Sequence, residues 1–223
     1  MSNIRNPYNK YELIIENIEG ERQISLSDII KNSVNVFIDN NYKRILDLGC
    51  GKGRNSLFFA QHGFEVFASD ICKKSINILK DKISKKGITN IKVHNYNFTD
   101  ILFEDNYFDA VVCTSVLHHA NIKDINTGLK EIHRVLKPNG CLVFDILSID
   151  DDSYGLGEAI EENTFVGSRE GEEGIPHHYT DIKELEGLLK DFLKVNIYKN
   201  EYFINNLNAK QYSTKVFDVI AYK

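Results

Sequence analysis

Short apolar runs alternate along this chain with segments whose apolar residues recur at helical spacing, and the alternation predicts an α/β fold built on a parallel sheet. Ile45, Leu46 and Leu48 form the first run, and residues 65–70, 91–95, 108–113 and 141–147 read as four further strands. Between them, residues 54–62, 73–86 and 123–137 carry helical spacing, the last ending at the stop signal Lys137-Pro138-Asn139-Gly140. Two helices precede the sheet, over 8–19 (Leu13, Ile14, Ile18) and over 26–40 (Ile29, Ile30, Val34, Phe37, Ile38), with Ser27-Asp28 capping the second. Thr180-Asp181-x-x-Glu184 opens a final helix as a capping box, and residues 192–199 and 214–222 supply two closing strands. Only residues 148–179 lack a period. They are acidic and glycine-rich, and a long irregular segment in a compact domain is either functional or mobile.

Composition narrows the class. At 223 residues with 42% hydrophobic content the chain reads as one globular domain able to bury a substantial core. A net charge of −5 leaves no basic surplus for phosphates, so nucleic acid is not an expected partner. Cys50, Cys72, Cys113 and Cys141 lie far apart, form no Cys-x-x-Cys pair, and suit reduced, packing thiols. No apolar run approaches the roughly 20 residues of a membrane span, and the first residues show no signal-peptide core. These features predict a cytoplasmic protein that does not engage membranes.

The candidate chemistry starts at the first strand. Asp47-Leu48-Gly49-Cys50-Gly51-Lys52-Gly53-Arg54 is a strand end, a glycine turn and a helix start, an arrangement that brings a ligand against bare backbone. A dinucleotide fingerprint needs its third glycine three residues after the second; Arg54 stands there, so the pattern is Gly-x-Gly-x-Gly instead. Asp70 ends the second strand roughly 20 residues after Gly49, the interval at which a carboxylate accepts from ribose hydroxyls. The same residue is also placed to cap the helix over 73–86.

This constellation resembles motif I of the class I methyltransferases that use S-adenosylmethionine, and Leu-Lys-Pro-Asn-Gly before the fifth strand is another landmark of that family. The run from Asp47 to Leu57 is also similar to the tellurite-resistance, small-molecule branch of the superfamily. The resemblance implies a Rossmann-like, doubly wound, three-layer α/β/α fold with a seven-stranded sheet, mostly parallel and ending in an antiparallel hairpin. It divides the chain into an N-terminal helical lid (1–43), a cofactor core (44–147), an acceptor-facing insertion (148–180) and a C-terminal helix and strand pair (181–223). The cofactor implied is S-adenosylmethionine, released as S-adenosylhomocysteine. Its methionine half would lie across Gly49, Cys50, Gly51 and Gly53, beside Arg54, with Asp47 near the ammonium. Asp70 and Ile71 would meet the ribose, and Asn97 and Phe98 the adenine, although the family places an Asp where Asn97 stands. Cys113 and Thr114 would lie beneath the methionine moiety, followed by His118 and His119 near the transferable methyl.

The predicted activity is methyl transfer to a small-molecule acceptor by in-line displacement. The candidate proton acceptors are His118, His119, His177 and His178, and the candidate acceptor-binding residues are Tyr8, Tyr11, Arg169 and Tyr179. Tyr8 and Tyr11 alternatively belong to an arm packed on the domain, and each histidine pair alternatively serves packing. Competing functions are methyl transfer to protein or RNA, and cofactor binding without catalysis. A third alternative is metal binding by His177 and His178 with Glu170, Glu172 and Glu173, but no metal is expected: adjacent histidines point apart in a strand, and no spaced triad is evident.

Overall fold

The computed structural model describes residues 26–169, 172, 174–205 and 211–223. The helix expected over 8–19, with Tyr8 and Tyr11, lies outside the described residues. So do Glu170, Gly171 and Glu173 of the insertion.

Helix α1 (Asp28–Asp39) leads into β1 (Arg44–Leu48), α2 (Arg54–Gln61), β2 (Glu65–Ser69), α3 (Lys73–Lys86), β3 (Ile91–His94) and β4 (Phe108–Cys113). A 3₁₀ turn (Leu117–His119), α4 (Ile122–Val135) and β5 (Leu136–Ser148) follow. The insertion holds β6 (Glu158–Glu161), β7 (Thr164–Val166) and β8 (Pro176–Thr180), and α5 (Ile182–Leu188), β9 (Lys194–Asn205) and β10 (Gln211–Tyr222) close the chain.

The sheet runs β3-β2-β1-β4-β5, all parallel, and then β10 and β9 as an antiparallel hairpin on β5. Strand alternation sorts the core into two layers. Ile45, Val66, Ala110 and Val112 face α1, α2 and α3, while Leu46, Leu48, Val111 and Cys113 face α4 and α5. The architecture is therefore the three-layer α/β/α, Rossmann-like one, with the strand order reversing on either side of β1. Crevices at the carboxyl ends of strands beside such a reversal are where open α/β sheets bind ligands.

Two local expectations change. Lys137-Pro138-Asn139-Gly140 does not follow the helix as a free turn but runs into β5, whose pairing with β4 shifts register between Phe108 and Ala110. Asn139 takes φ of 64° there, Lys137 Nζ bonds Asp109 at 2.6 Å, and a Cβ on Gly140 would sit 2.8 Å from the Asp109 carbonyl oxygen. At Ser27 the side chain makes no cap hydrogen bond, so α1 starts without that help.

The larger correction concerns residues 148–179. In place of an irregular loop, β6, β7 and β8 form an antiparallel meander, and β8 adds in parallel to the far end of β5 through Leu147↔Tyr179 and Ser148↔Thr180. The sheet thereby reaches ten strands, three beyond the seven expected. Periodicity could not reveal this because the interior is polar: Thr164, Ser168, His177, His178 and Thr180 are all buried. Tyr179, expected to face an acceptor, is fully buried, with its hydroxyl on Ser153 and Ser168 and its ring against Tyr154 and Phe165. Arg169 is likewise turned inward. Its guanidinium bonds Asp151 at 3.1 Å and Thr214 at 3.3 Å, and Asp151 also accepts from Lys215 N–H at 2.8 Å, which ties the insertion to β10. Among the described residues, no helix is long and apolar enough to cross a membrane.

Removing one member of a buried ion pair strands the other, at a cost of about 3–5 kcal/mol. Asp151→Ala should lose about that much unfolding free energy in urea denaturation, with the amides of β8 becoming the first to exchange. A loss below about 1 kcal/mol would show that this pair does not anchor the insertion.

Candidate functional site

The glycine turn after β1 is held by β2. The N–H groups of Gly49 and Cys50 both donate to the Ser69 carbonyl at 2.8 Å, and Gly51 N–H donates to Asp70 Oδ2 at 2.8 Å. Asp70 Oδ1 accepts from Cys72 N–H at 2.7 Å, so one carboxylate ties two turns together. It does not cap α3 in the usual sense, since Cys72 is the N-cap residue. Each glycine has its own reason. At Gly49 (φ 74°) a Cβ would lie 2.1 Å from Val116, and at Gly53 (φ 85°) it would strike Leu79 at 2.2 Å. At Gly51 (φ 53°) it would meet no atom within 4 Å, because that side opens into a cleft.

Gly49, Gly51, Asp70, Ile71, Asn97, Phe98 and His119 of the expected set line this cleft. Leu48, Cys72, Ser75, Tyr96, Ser115 and Val116 complete the wall. The sequence reading missed these; only their adjacency to predicted residues could have flagged them. Asn97 Oδ1 accepts from Thr99 N–H at 3.2 Å, leaving its amide NH₂ without a hydrogen bond in the same turn. Tyr96 places its hydroxyl in the wall, beside that of Ser69.

The other expected cofactor contacts are not among the residues that line the cleft. Asp47 is 1% exposed and accepts from the Ser56 hydroxyl and backbone at the start of α2, and burial pushes its carboxyl up to about 6. Cys50 is buried, Gly53 packs on α3, and Arg54 begins α2 with Nε 3.4 Å from Asn55 Oδ1. Cys113 is fully buried with its thiol pushed up by burial, and Thr114 accepts from Asn55 Nδ2 at 3.0 Å.

The four histidines separate. His178 bonds Thr164 at 2.7 Å and Glu184 at 3.3 Å inside the insertion, on the side of β8 away from His177. Glu184 thus spends its carboxylate on His178 and Thr180, although Asp181 caps α5 as expected by accepting from Glu184 N–H at 2.8 Å. His118, His119 and His177 come together instead, with ring centroids 4.4 Å (118 to 119) and 5.0 Å (119 to 177) apart. Glu172 joins them through Nε2 of His177 at 2.8 Å. Burial drives His119 down to about 4, so this imidazole is neutral at neutral pH. Burial raises the Glu172 carboxyl, but the His177 bond and the neighbouring imidazoles outweigh it and hold the group at about 2.

Comparison with known proteins places this geometry. Residues 45–140 match the family model described as a methyltransferase domain. The chain is 35% identical over 129 residues to the YqeM protein of Bacillus subtilis (strain 168), covering 57% of this chain and 50% of that one. It is 27% identical over 197 residues to the ubiquinone biosynthesis O-methyltransferase of Rickettsia prowazekii (strain Madrid E), covering 82% and 74%. It therefore spans about half the length of the first relative and about three quarters of the second. A crystal structure of a SAM-dependent methyltransferase from Methanosarcina mazei superposes with a TM-score of 0.68 at 27% identity, over 83% of this chain and 96% of that one. TehB from Haemophilus influenzae shares the fold with a TM-score of 0.68 at 20% identity, over 90% and 63%.

The loop that carries Ser115 depends on a residue the sequence did not signal. Asp145, on β5, accepts from Ser115 N–H at 2.6 Å and so holds Ser115 at φ of 57°. Burial, with Asp218 opposite it on β10, pushes the Asp145 carboxyl up to about 7. A raised carboxylate binds its proton more tightly in the folded chain. Its contribution to stability is full below about pH 4 and is lost as pH rises through about 7. Asp145→Asn keeps an acceptor for Ser115 and cannot ionise. Relative to the wild type, its melting temperature should rise as the pH is raised from about 4 to about 8, read by thermal unfolding at a series of pH values. A pH-independent difference would mean that Asp145 titrates as it does in the unfolded chain.

Proposed function

Because this chain belongs to the class I S-adenosylmethionine-dependent methyltransferases, we propose that it transfers the methyl group of S-adenosylmethionine to a small-molecule acceptor by in-line displacement. The observation that carries the reading is one cleft whose wall includes Asp70, the bare backbone of Gly51, and His119. The residues fit the cofactor: Gly51 leaves open the volume a Cβ would fill, beside the Asp70 carboxylate in the same wall.

Asp70 would hold the ribose through the lone pairs left by Gly51 and Cys72, with Ile71 alongside. Phe98 would wall the adenine and Asn97 would bond its edge. When bound, the cofactor supplies a sulfonium methyl already activated for displacement. The work left to the chain is alignment and exclusion of water. Ser115, Val116 and His119 form the wall where the acceptor would approach, and His177 with Glu172 stands behind them. For a hydroxyl acceptor, neutral His119 is placed to take a hydrogen bond from it and His177–Glu172 to take up the proton. A small acceptor is supported by the net charge of −5 and by the meander beside the cleft. The Rickettsia relative, named for an O-methyl transfer in ubiquinone biosynthesis, points the same way. Four buried, unpaired thiols favour a reducing compartment such as the cytoplasm.

Calorimetry with S-adenosylhomocysteine and turnover with a panel of phenol, thiol and amine acceptors test the reading. Asp70→Ala should weaken binding about 10- to 150-fold through loss of charge-assisted hydrogen bonds. An unchanged dissociation constant would remove Asp70 from the cofactor site. The double variant His119→Ala/His177→Ala should bind S-adenosylhomocysteine within about threefold of the wild type, a difference under 1 kcal/mol, and lose transfer. Normal turnover in that variant would place the chemistry elsewhere. Tight cofactor binding by the wild type with no small acceptor turned over would favour a macromolecular acceptor or a binding role.

A further inference from the structure

His119, His177 and Glu172 come from three separate places: the 3₁₀ turn after β4, strand β8, and the loop before β8. Each offers one ligand atom, and these atoms all lie within 4.8 Å of one another. Two imidazole nitrogens and one carboxylate oxygen form the donor set of open zinc sites and of facial-triad metal centres, which keep a coordination position free. We propose that His119, His177 and Glu172 form a binding site for a divalent transition metal ion of the zinc class, its open position turned toward the cleft through His119.

Donors about 2.0–2.1 Å from a tetrahedral ion stand roughly 3.3 Å apart, so the cluster has to contract by about an ångström or more at its widest pair. The 35% exposure of the Glu172 side chain leaves it room to do so. The protonation states suit ligation. Burial keeps His119 neutral, and Glu172 is ionised at any physiological pH. The cluster is also unfinished as protein alone. His177 is fully buried and spends one nitrogen on Glu172, while its Nδ1 has no partner; neither has the buried Nδ1 of His118 beside it. The cation already near the cluster, the Arg169 guanidinium, is paired with buried Asp151 at 3.1 Å, which offsets part of its charge. Oxygen-preferring ions such as Mg²⁺ and Ca²⁺ fit a mostly nitrogen set poorly.

The sequence argument against a metal was that adjacent histidines point apart in a strand. The structure agrees on the geometry, since His178 turns to Thr164 and Glu184, but the missing ligand comes from His119, 58 positions before His177 in the numbering. The chemical consequence rests on the methyltransferase reading: an ion here would bind an oxygen or sulfur of the acceptor as its anion at the acceptor end of the cleft. Binding of the ion itself does not rest on that reading.

Metal-stripped protein titrated with Co²⁺ is the test, read by the ligand-field absorption of the ion, with S-adenosylhomocysteine affinity measured in parallel. The wild type should take up about one equivalent with the intense bands of a low-coordinate site, and Zn²⁺ should abolish them. Loss of outer-shell partners alone costs metal sites 10- to 100-fold, so Glu172→Gln and His177→Ala should each weaken Co²⁺ binding by about 100-fold or more. Both variants should keep S-adenosylhomocysteine affinity within a few-fold, which shows that the fold survives. Wild-type protein that binds S-adenosylhomocysteine yet gives no saturable Co²⁺ spectrum overturns the proposal, as does a Glu172→Gln/His177→Ala double variant with undiminished Co²⁺ affinity. Co²⁺ uptake without S-adenosylhomocysteine binding would leave the metal site standing and remove the cofactor assignment.

Discussion

The carbonyl of Ser69 and the carboxylate of Asp70, adjacent at the end of β2, carry the whole glycine turn. Three successive amides, those of Gly49, Cys50 and Gly51, point toward β2 and are satisfied there. The turn is thus rigid before any ligand arrives, and the surface it offers is bare backbone more than free N–H donors. That differs from a phosphate-binding glycine loop, in which the amides themselves hold the ligand. A rigid, donor-poor turn suits a zwitterionic ligand that needs space and a carboxylate partner more than it needs a cradle for anions. The same carboxylate bonds Cys72 N–H and so fixes the start of α3 against the turn. Both walls at this end of the cleft consequently depend on one residue.

At the opposite end the organising element is the length of β5. It continues past the end of β4, whose last paired residue is Cys113, and the extra residues Leu147 and Ser148 give β8 an edge to join. β8 then lies above the turn Leu117–His119, which is why His177 meets His118 and His119 across a large gap in sequence. The meander pairs its buried polar groups with one another and with their neighbours: His178 with Thr164 and with Glu184 of α5, Tyr179 with Ser153 and Ser168, Arg169 with Asp151 and with Thr214 of β10. Buried polar networks of this kind are specific only when nearly complete. Around His118 and His177 it is not complete.

This division also explains what the sequence disclosed. Strands of the cofactor half are buried on both faces and read as apolar runs, so their order, the helices between them and the glycine turn were all visible. Asp70, Asn97 and Phe98 follow from strand ends, and the structure sets all three in the cleft wall. Asp47, Cys113 and Thr114 are buried and do not line it, and spacing gives the end of a strand but not the face to which a side chain turns there. The insertion was illegible for a different reason. Its strands are short, β6 is largely exposed, and its interior is built from Thr, His, Ser and Tyr, so no apolar period marks it. Arg169 and Tyr179 read as acceptor ligands because they are polar residues in an irregular stretch; in the structure they are turned inward onto Asp151 and onto Ser153 and Ser168.

The two halves also differ in what relatives can say about them. The family match runs over residues 45–140, which takes in the glycine turn, Asp70, Asn97 and His119 and stops before β8. His177 and Glu172 lie beyond it. The matched segment therefore contains most of the cleft wall, while the His119, His177 and Glu172 cluster combines one histidine from the matched segment with two side chains from outside it. Chemistry at that end has to be argued from this chain's own geometry. A histidine pair bridged by a carboxylate admits two states, a proton held between His177 and Glu172 or an ion held among all three residues. The two states exclude one another, since a metal displaces the proton that the first requires. An acceptor with a hydroxyl would be served by either state, by proton uptake in the first and by anion coordination in the second. Which state prevails determines whether the pH dependence of transfer follows imidazole protonation or metal occupancy.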